Sequence, residues 1–179
     1  YNSYHRGHGY LNVSGAIEKS CNYFFYETGN RMGIDTLDKY ATYFGLGKKT
    51  GIELPSETAG TLASPESAKK LNETWSAGQT LQASIGQSYN SFSPIQLVKY
   101  IGMVANGGNK INPTLIKRIM NADGTESSKS EINQYVKEKL GLEDDNSENL
   151  TFSKENIKAV LEGMRSVTEE GGTASSVFK

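Results

Sequence analysis

Apolar residues recur at helical spacing in several separate stretches of the chain, divided by runs rich in glycine, serine and proline. Residues 13–19 form a short helix behind Asn12, a residue suited to an N-cap, with Ala16 and Ile17 as its apolar contacts. A second helix opens near Asn22, places Tyr23, Phe24, Phe25 and Tyr26 in succession, and stops at Gly33. Adjacent aromatics cover most of a helical circumference, so this helix is expected to be largely buried. A third helix takes Asp35 as N-cap, carries Leu37, Tyr40, Ala41 and Phe44 on its apolar stripe, and closes at Gly45.

From Gly47 to Ala63 the pattern loses its period and turn-forming residues dominate, which predicts a long ordered loop. Ser64-Pro65 then caps a short helix through Leu71. Leu81, Ala83 and Ile85 alternate with polar residues and predict an extended run ending in Gly86. Ser93-Pro94 opens a helix that runs to Asn106, with Leu97, Ile101 and Val104 on one face. Beyond Pro113, the residues Leu115, Ile116, Ile119 and Met120 predict a short strand turned at Asp123-Gly124. Residues 121–150 read as a variable surface insertion, polar and acidic and weakly periodic beyond residue 125. A last helix starts at Ser153, carries Ile157, Val160, Leu161, Met164 and Val167 as core contacts, and is stopped by Gly171-Gly172.

At 179 residues the chain fits one domain, residues 1–179. A net charge of −1 leaves no electrostatic footprint for nucleic acid, and no apolar run approaches the roughly 20 residues of a membrane span. The chain starts in mid-pattern at Tyr1, without Met, and reads as a fragment of a longer protein. The single cysteine, Cys21, excludes an internal disulfide and reads as a buried thiol. The only histidines, His5 and His8, lie in a Gly-rich lead-in with no further ligands at metal-binding spacing. No metal or cofactor is expected.

Candidate chemistry centres on Ser20-Cys21-Asn22, at the turn between the first two helices. Two residues apart across a turn, a hydroxyl and an amide can face one cleft, the hydroxyl passing a proton on and the amide offering donor and acceptor together. Helix capping is the competing explanation for both residues. The tripeptide alone is weak, since Ser88 to Asn90 and Ser147 to Asn149 repeat it.

The wider context is more specific. Gly7-His8-Gly9 followed by Ala16-Ile17-Glu18-Lys19-Ser20-Cys21-Asn22-Tyr23-Phe24-Phe25-Tyr26 resembles the middle motif of class B penicillin-binding proteins, the monofunctional peptidoglycan transpeptidases. Phe44-Gly45-Leu46-Gly47, Thr50 to Pro55, Ser84-Ile85-Gly86-Gln87, Ser93 to Leu97, Ala105 to Gly108 and Gly172-Thr173-Ala174 follow in the family's order. The resemblance spans roughly residues 5–120 and 152–178. It implies an α+β fold of the penicillin-binding protein and serine β-lactamase type, here a part dominated by the helical lobe. It also implies roles. Ser20 would relay a proton between nucleophile, lysine and leaving amine, Asn22 would bind the substrate peptide and help position the lysine, and Gly86 and Gln87 would shape the loop behind the site. The family usually has glycine where Ser88 stands and threonine where Ser93 stands.

Other matches to the superfamily's motifs fall in the wrong places. Lys49-Thr50-Gly51 sits in the Gly-rich loop, and Ser67 to Lys70 and Ser176 to Lys179 both follow Ser20, whereas the family's Ser-x-x-Lys precedes it. The resemblance therefore implies a nucleophile upstream of Tyr1 and a true Lys-Thr-Gly beyond Lys179, and a fragment that does not catalyse alone. For the intact protein it implies cross-linking of stem peptides through an acyl-serine, acylation by β-lactams, a membrane anchor, an extracytoplasmic site, and partners in cell-wall synthesis. A serine β-lactamase or β-lactam sensor of the same fold, and a non-catalytic scaffold module, are the alternatives. A helical lobe without its sheet would expose apolar surface and fold marginally or self-associate.

Overall fold

The computed structural model describes residues 7–142 and 150–178. They form α1 (Val13–Glu18), α2 (Asn22–Met32), α3 (Ile34–Tyr43), α4 (Pro65–Lys70), α5 (Ala77–Ala83), α6 (Pro94–Ala105), α7 (Lys129–Leu140) and α8 (Lys154–Ser166). Among the described residues, β pairing is confined to two isolated antiparallel bridges, Thr61 with Ser91 and Met120 with Glu126.

Local chemistry sets most helix starts. Asn12 Oδ1 accepts the Gly15 N–H at the head of α1, and Ser64, Ser93, Ser128 and Ser153 each accept a backbone N–H at theirs. The third helix begins earlier than its sequence indicates. Gly33 (φ 75°) is its N-cap, and Asp35 lies in its first turn, where a carboxylate faces the positive end of the helix.

The helices pair through small residues. α1 packs along α8, α2 against α3 and α5, and α6 touches α8. At the first crossing, Ser14 Oγ donates to Ala159 O at 2.7 Å, and a Cβ on Gly163 would stand 2.9 Å from Ser14 O. At the second, a Cβ on Gly29 would stand 2.3 Å from the Cβ of Ser84. Only glycine allows either approach. Aromatic rings join α3, α6 and the segment leading into α8: Phe44 meets Tyr100 and Phe152 at 5.5 Å, and buried Tyr43 meets Phe152 at 5.6 Å. The Tyr43 hydroxyl is satisfied by Gly108 O at 2.9 Å.

Several elements differ from the pattern-based reading. Residues 77–83 are helical, not extended: a Ser76–Gln79 capping box starts α5, and its length of seven residues is too short for alternation and helical period to be told apart. Residues 115–119 form no strand, and the turn at Asp123-Gly124 closes only the Met120–Glu126 bridge. The acidic stretch holds a full helix, α7, capped by a Ser128–Glu131 box and burying Ile132 and Val136. Ile132, Tyr135, Val136 and Leu140 do recur at helical spacing behind that cap, a signal the polar composition of the stretch obscures. Helix α2 is not largely buried, since Tyr23 is 73% exposed and Phe24, Phe25 and Tyr26 are half-buried. Rings pointing round the whole circumference cannot all face α3 and α5. On α6 the faces also divide, Met103 and Val104 being buried while Leu97, Val98 and Ile101 stay exposed. The α8 stripe is half-buried, with only Gly163 fully inside.

Asp38, half-buried on α3, has its pKa pushed up to about 6 by burial first, then by the neighbouring charges of Asp35 and Glu66. The folded chain therefore holds this proton more tightly than the unfolded chain. The stability that Asp38 contributes is complete below its ordinary value of 3.8 and is lost as pH rises through about 6. Asp38→Asn should raise the melting temperature at pH about 7.5 and leave it unchanged near pH 4. An equal shift at both pH values would contradict this origin.

Candidate active site

The Ser20 turn is built by the end of α1. Cys21 N donates to Ala16 O at 2.9 Å and Ser20 N donates to Ile17 O at 3.0 Å, the paired bonds of a Schellman closure. That closure requires a left-handed residue between Lys19 and Cys21, and Ser20 supplies it with φ 49°. Glycine is the usual occupant, and a serine there costs on the order of 1 kcal/mol. Buried Cys21 and Ala16 pin the turn from below, while Ser20 and Asn22 remain exposed above it.

Ser20 closes α1 through its backbone, but neither its side chain nor that of Asn22 caps a helix. Cys21 occupies the N-cap position of α2 without any side-chain hydrogen bond, and Asn22 is the first helical residue. The Ser20 hydroxyl instead meets Thr173 Oγ1 at 3.1 Å, on the loop after α8. The same loop is tied at two further points: Lys19 Nζ donates to Gly171 O at 2.7 Å while pairing with Glu18 at 2.7 Å, and Thr173 N donates to Glu18 O at 3.3 Å. Lys19 and Thr173 are the members of this site that motif reasoning missed. Thr173 lies within the Gly172-Thr173-Ala174 block, but nothing in the sequence places it on Ser20, more than 150 positions away.

Gly86 and Gln87 close α5 by the same device. Gln87 N donates to Gln82 O and Gly86 N to Ala83 O, both at 3.0 Å, with Gly86 at φ 78°. Because Ser84 crosses α2 at Gly29, two turns beyond Asn22, this loop leaves α2 about 10 Å along the axis from Asn22. No hydrogen bond among the described residues joins it to Ser20 or Asn22. Next in the loop, Ser88 has φ 65° and a buried hydroxyl without a partner. Its backbone is that of a glycine. Ser88→Gly removes both the left-handed strain and the unpaired hydroxyl, and should raise stability by about 1 kcal/mol despite the looser unfolded chain. A lower melting temperature would show that Ser88 is not strained.

Of the other motif matches, Ser67, Thr50-Gly51 and Asn90 make structural contacts. Ser67 is the third residue of α4, its hydroxyl donating to Ser64 O at 2.8 Å and accepting from Ser64 N at 2.9 Å. Thr50 and Gly51 wrap the Glu57 carboxylate, with contacts of 2.6 Å from Thr50 N and Oγ1 and 3.0 Å from Gly51 N. Asn90 bridges two loops, accepting from Ala63 N at 2.9 Å. Ser147, Asn149, His5 and Lys179 lie outside the described residues. An open cleft of about 1300 Å³ lies between α3, α6 and α7, lined among others by Tyr43, Lys99, Met103 and Val136, and shares no residue with the Ser20 turn.

Chemically, the turn offers a hydroxyl held by a second hydroxyl, either of which can donate. Among the described residues no amine, imidazole or carboxylate hydrogen-bonds Ser20 Oγ, so the turn shows no nucleophile–base pair.

Comparison with known proteins identifies the family of the chain. The family model of the penicillin-binding protein transpeptidase domain matches residues 1–178. The peptidoglycan D,D-transpeptidase MrdA of Acinetobacter baumannii is 38% identical over 112 residues, which is 62% of this chain and 17% of that protein. Penicillin-binding protein H of Bacillus subtilis is 34% identical over 139 residues, 78% of this chain and again 17% of the relative. The matched stretch thus spans less than a fifth of the length of these relatives. Among solved structures, Pseudomonas aeruginosa PBP2 in complex with WCK 5153 superposes with a TM-score of 0.73 at 28% identity, covering 96% of this chain and 36% of that one. Helicobacter pylori PBP2, in its complex with MreC, gives 0.71 at 26% identity, covering 96% and 28%. The helix-rich chain is a part of that transpeptidase fold, and it belongs to the penicillin-binding protein transpeptidase family, in its class B branch.

Proposed function

We propose that the intact protein is a serine-type peptidoglycan D,D-transpeptidase and that this chain supplies its middle motif. In the reaction a serine hydroxyl attacks the penultimate D-Ala carbonyl of a stem peptide and expels the terminal D-Ala. The amine of a second stem peptide then displaces the serine from the acyl group. β-Lactams acylate the same serine. Ser20 carries the proton between the attacking serine, its lysine and the leaving amine, and Asn22 binds the substrate peptide. Gly86 and Gln87 support the loop behind. The attacking Ser-x-x-Lys and the Lys-Thr-Gly lie outside residues 1–179, so this chain alone is inactive. Residues 121–150 are a surface insertion. The intact protein is anchored in the membrane, acts on its extracytoplasmic side and joins a cell-wall synthesis complex.

The observation that carries this reading is the exposed, left-handed Ser20, whose hydroxyl caps neither adjoining helix and lies 3.1 Å from Thr173 Oγ1, in a chain matched over residues 1–178 by a transpeptidase family model. Incubating the intact protein with a labelled penicillin tests it. Retention of about one label per protein, without turnover, is the expected outcome. Continued hydrolysis would favour the β-lactamase reading, and absence of label would favour a scaffold.

A further inference from the structure

We infer that Thr173 is a positioning residue, which orients the Ser20 hydroxyl for proton relay; this rests on the transpeptidase reading above. A serine hydroxyl on an exposed turn rotates freely among staggered positions, and a relay needs it aimed at one donor and one acceptor. Thr173 Oγ1 at 3.1 Å supplies one of those fixed points.

Its own placement is fixed on both sides. Gly172 is buried where a Cβ would stand 2.1 Å from Ser166 O and 2.3 Å from Val167 O, and Ala174 N donates to Val167 O at 2.9 Å. Thr173 N bonds Glu18 O, and Lys19 Nζ holds Gly171 O. The loop is thus fastened both to the end of α8 and to Glu18 and Lys19 at the end of α1, the two residues that precede Ser20. A β-branched side chain on such a backbone has little freedom at χ1, so its hydroxyl is a stiff reference point. Threonine fits this task better than serine would.

The test is a double-mutant cycle in the intact protein, read as the second-order rate of acylation by a fluorescent penicillin. Thr173→Val keeps the shape and loses the hydroxyl, and should lower the rate about tenfold with an unchanged melting temperature. Thr173→Ser should restore most of that loss. In a Ser20→Ala background, Thr173→Val should cost less than about twofold, because its effect passes through the missing hydroxyl. A wild-type rate for Thr173→Val, or the same tenfold loss in the Ser20→Ala background, would overturn the inference. If Ser20→Ala itself acylates at the wild-type rate, the relay reading of Ser20 fails instead.

Discussion

Removing the Ser20 hydroxyl should slow acylation by penicillin at least about a hundredfold in the intact protein, the scale of a lost positioned proton-transfer group. The same position makes an opposite demand on stability. Ser20 sits with φ 49° at the one place in the α1 closure where glycine is unstrained. Ser20→Gly should therefore lose activity as Ser20→Ala does while raising stability by up to about 1 kcal/mol, and Ser20→Ala should leave stability nearly unchanged. A residue kept only for the fold would show no such opposition. Rates from stopped-flow acylation and melting curves on the same preparations decide the matter. A Ser20→Gly protein that is both slower and less stable would mean that the hydroxyl is structural.

The largest expected loss of stability comes from Gln96. This side chain is fully buried, and all its hydrogen-bonding capacity is directed at backbone or cap: Nε2 donates to Lys48 O and Ala59 O at 2.8 Å each, while Oε1 accepts from Ser93 N at 2.7 Å and Ser93 Oγ at 3.1 Å. It fastens the Gly-rich loop to the start of α6. Gln96→Leu keeps the bulk but leaves two part-buried carbonyls without their donor and opens the capping box, so the protein should lose about 3 kcal/mol. Urea unfolding followed by circular dichroism measures this. A loss below about 1 kcal/mol would show that water or a rearranged loop replaces the lost bonds.

The Gln96 network also shows what sequence can and cannot convey. Ser93-Pro94 announced the helix start plainly, because capping is chemistry between neighbours. That the glutamine three residues on also holds the loop near Ala59 depends on a contact across 37 positions, which no local pattern encodes. The same division holds elsewhere. The helices α1, α4, α6 and α8 were legible from their caps and stops. Helix α7 is obscured by its polar composition although Ile132, Tyr135, Val136 and Leu140 keep helical spacing, and α5 reads as extended because Leu81, Ala83 and Ile85 alternate, while the helix start is marked only by the Ser76–Gln79 capping box.

At the site, the Ser20 turn could be located from its motif and its neighbouring blocks, yet its partner could not. Thr173 is brought to it by the α1–α8 pairing, and that pairing depends on Gly163 meeting Ser14 at close range. A lone glycine in a helix gives no hint of what it faces. Ser88 is the instructive middle case: the resemblance pointed to a glycine there, and the backbone, at φ 65°, is the one a glycine would take.

The most direct test of the central claim is a peptide map of the penicillin adduct, by mass spectrometry, on the intact protein and on residues 1–179 alone. One adduct per intact protein, on a serine outside residues 1–179, with none on the folded isolated chain, is the predicted result. A stable adduct on Ser20, Ser67 or Ser176 would make one of these the nucleophile, and the relay role argued for Ser20 would fall.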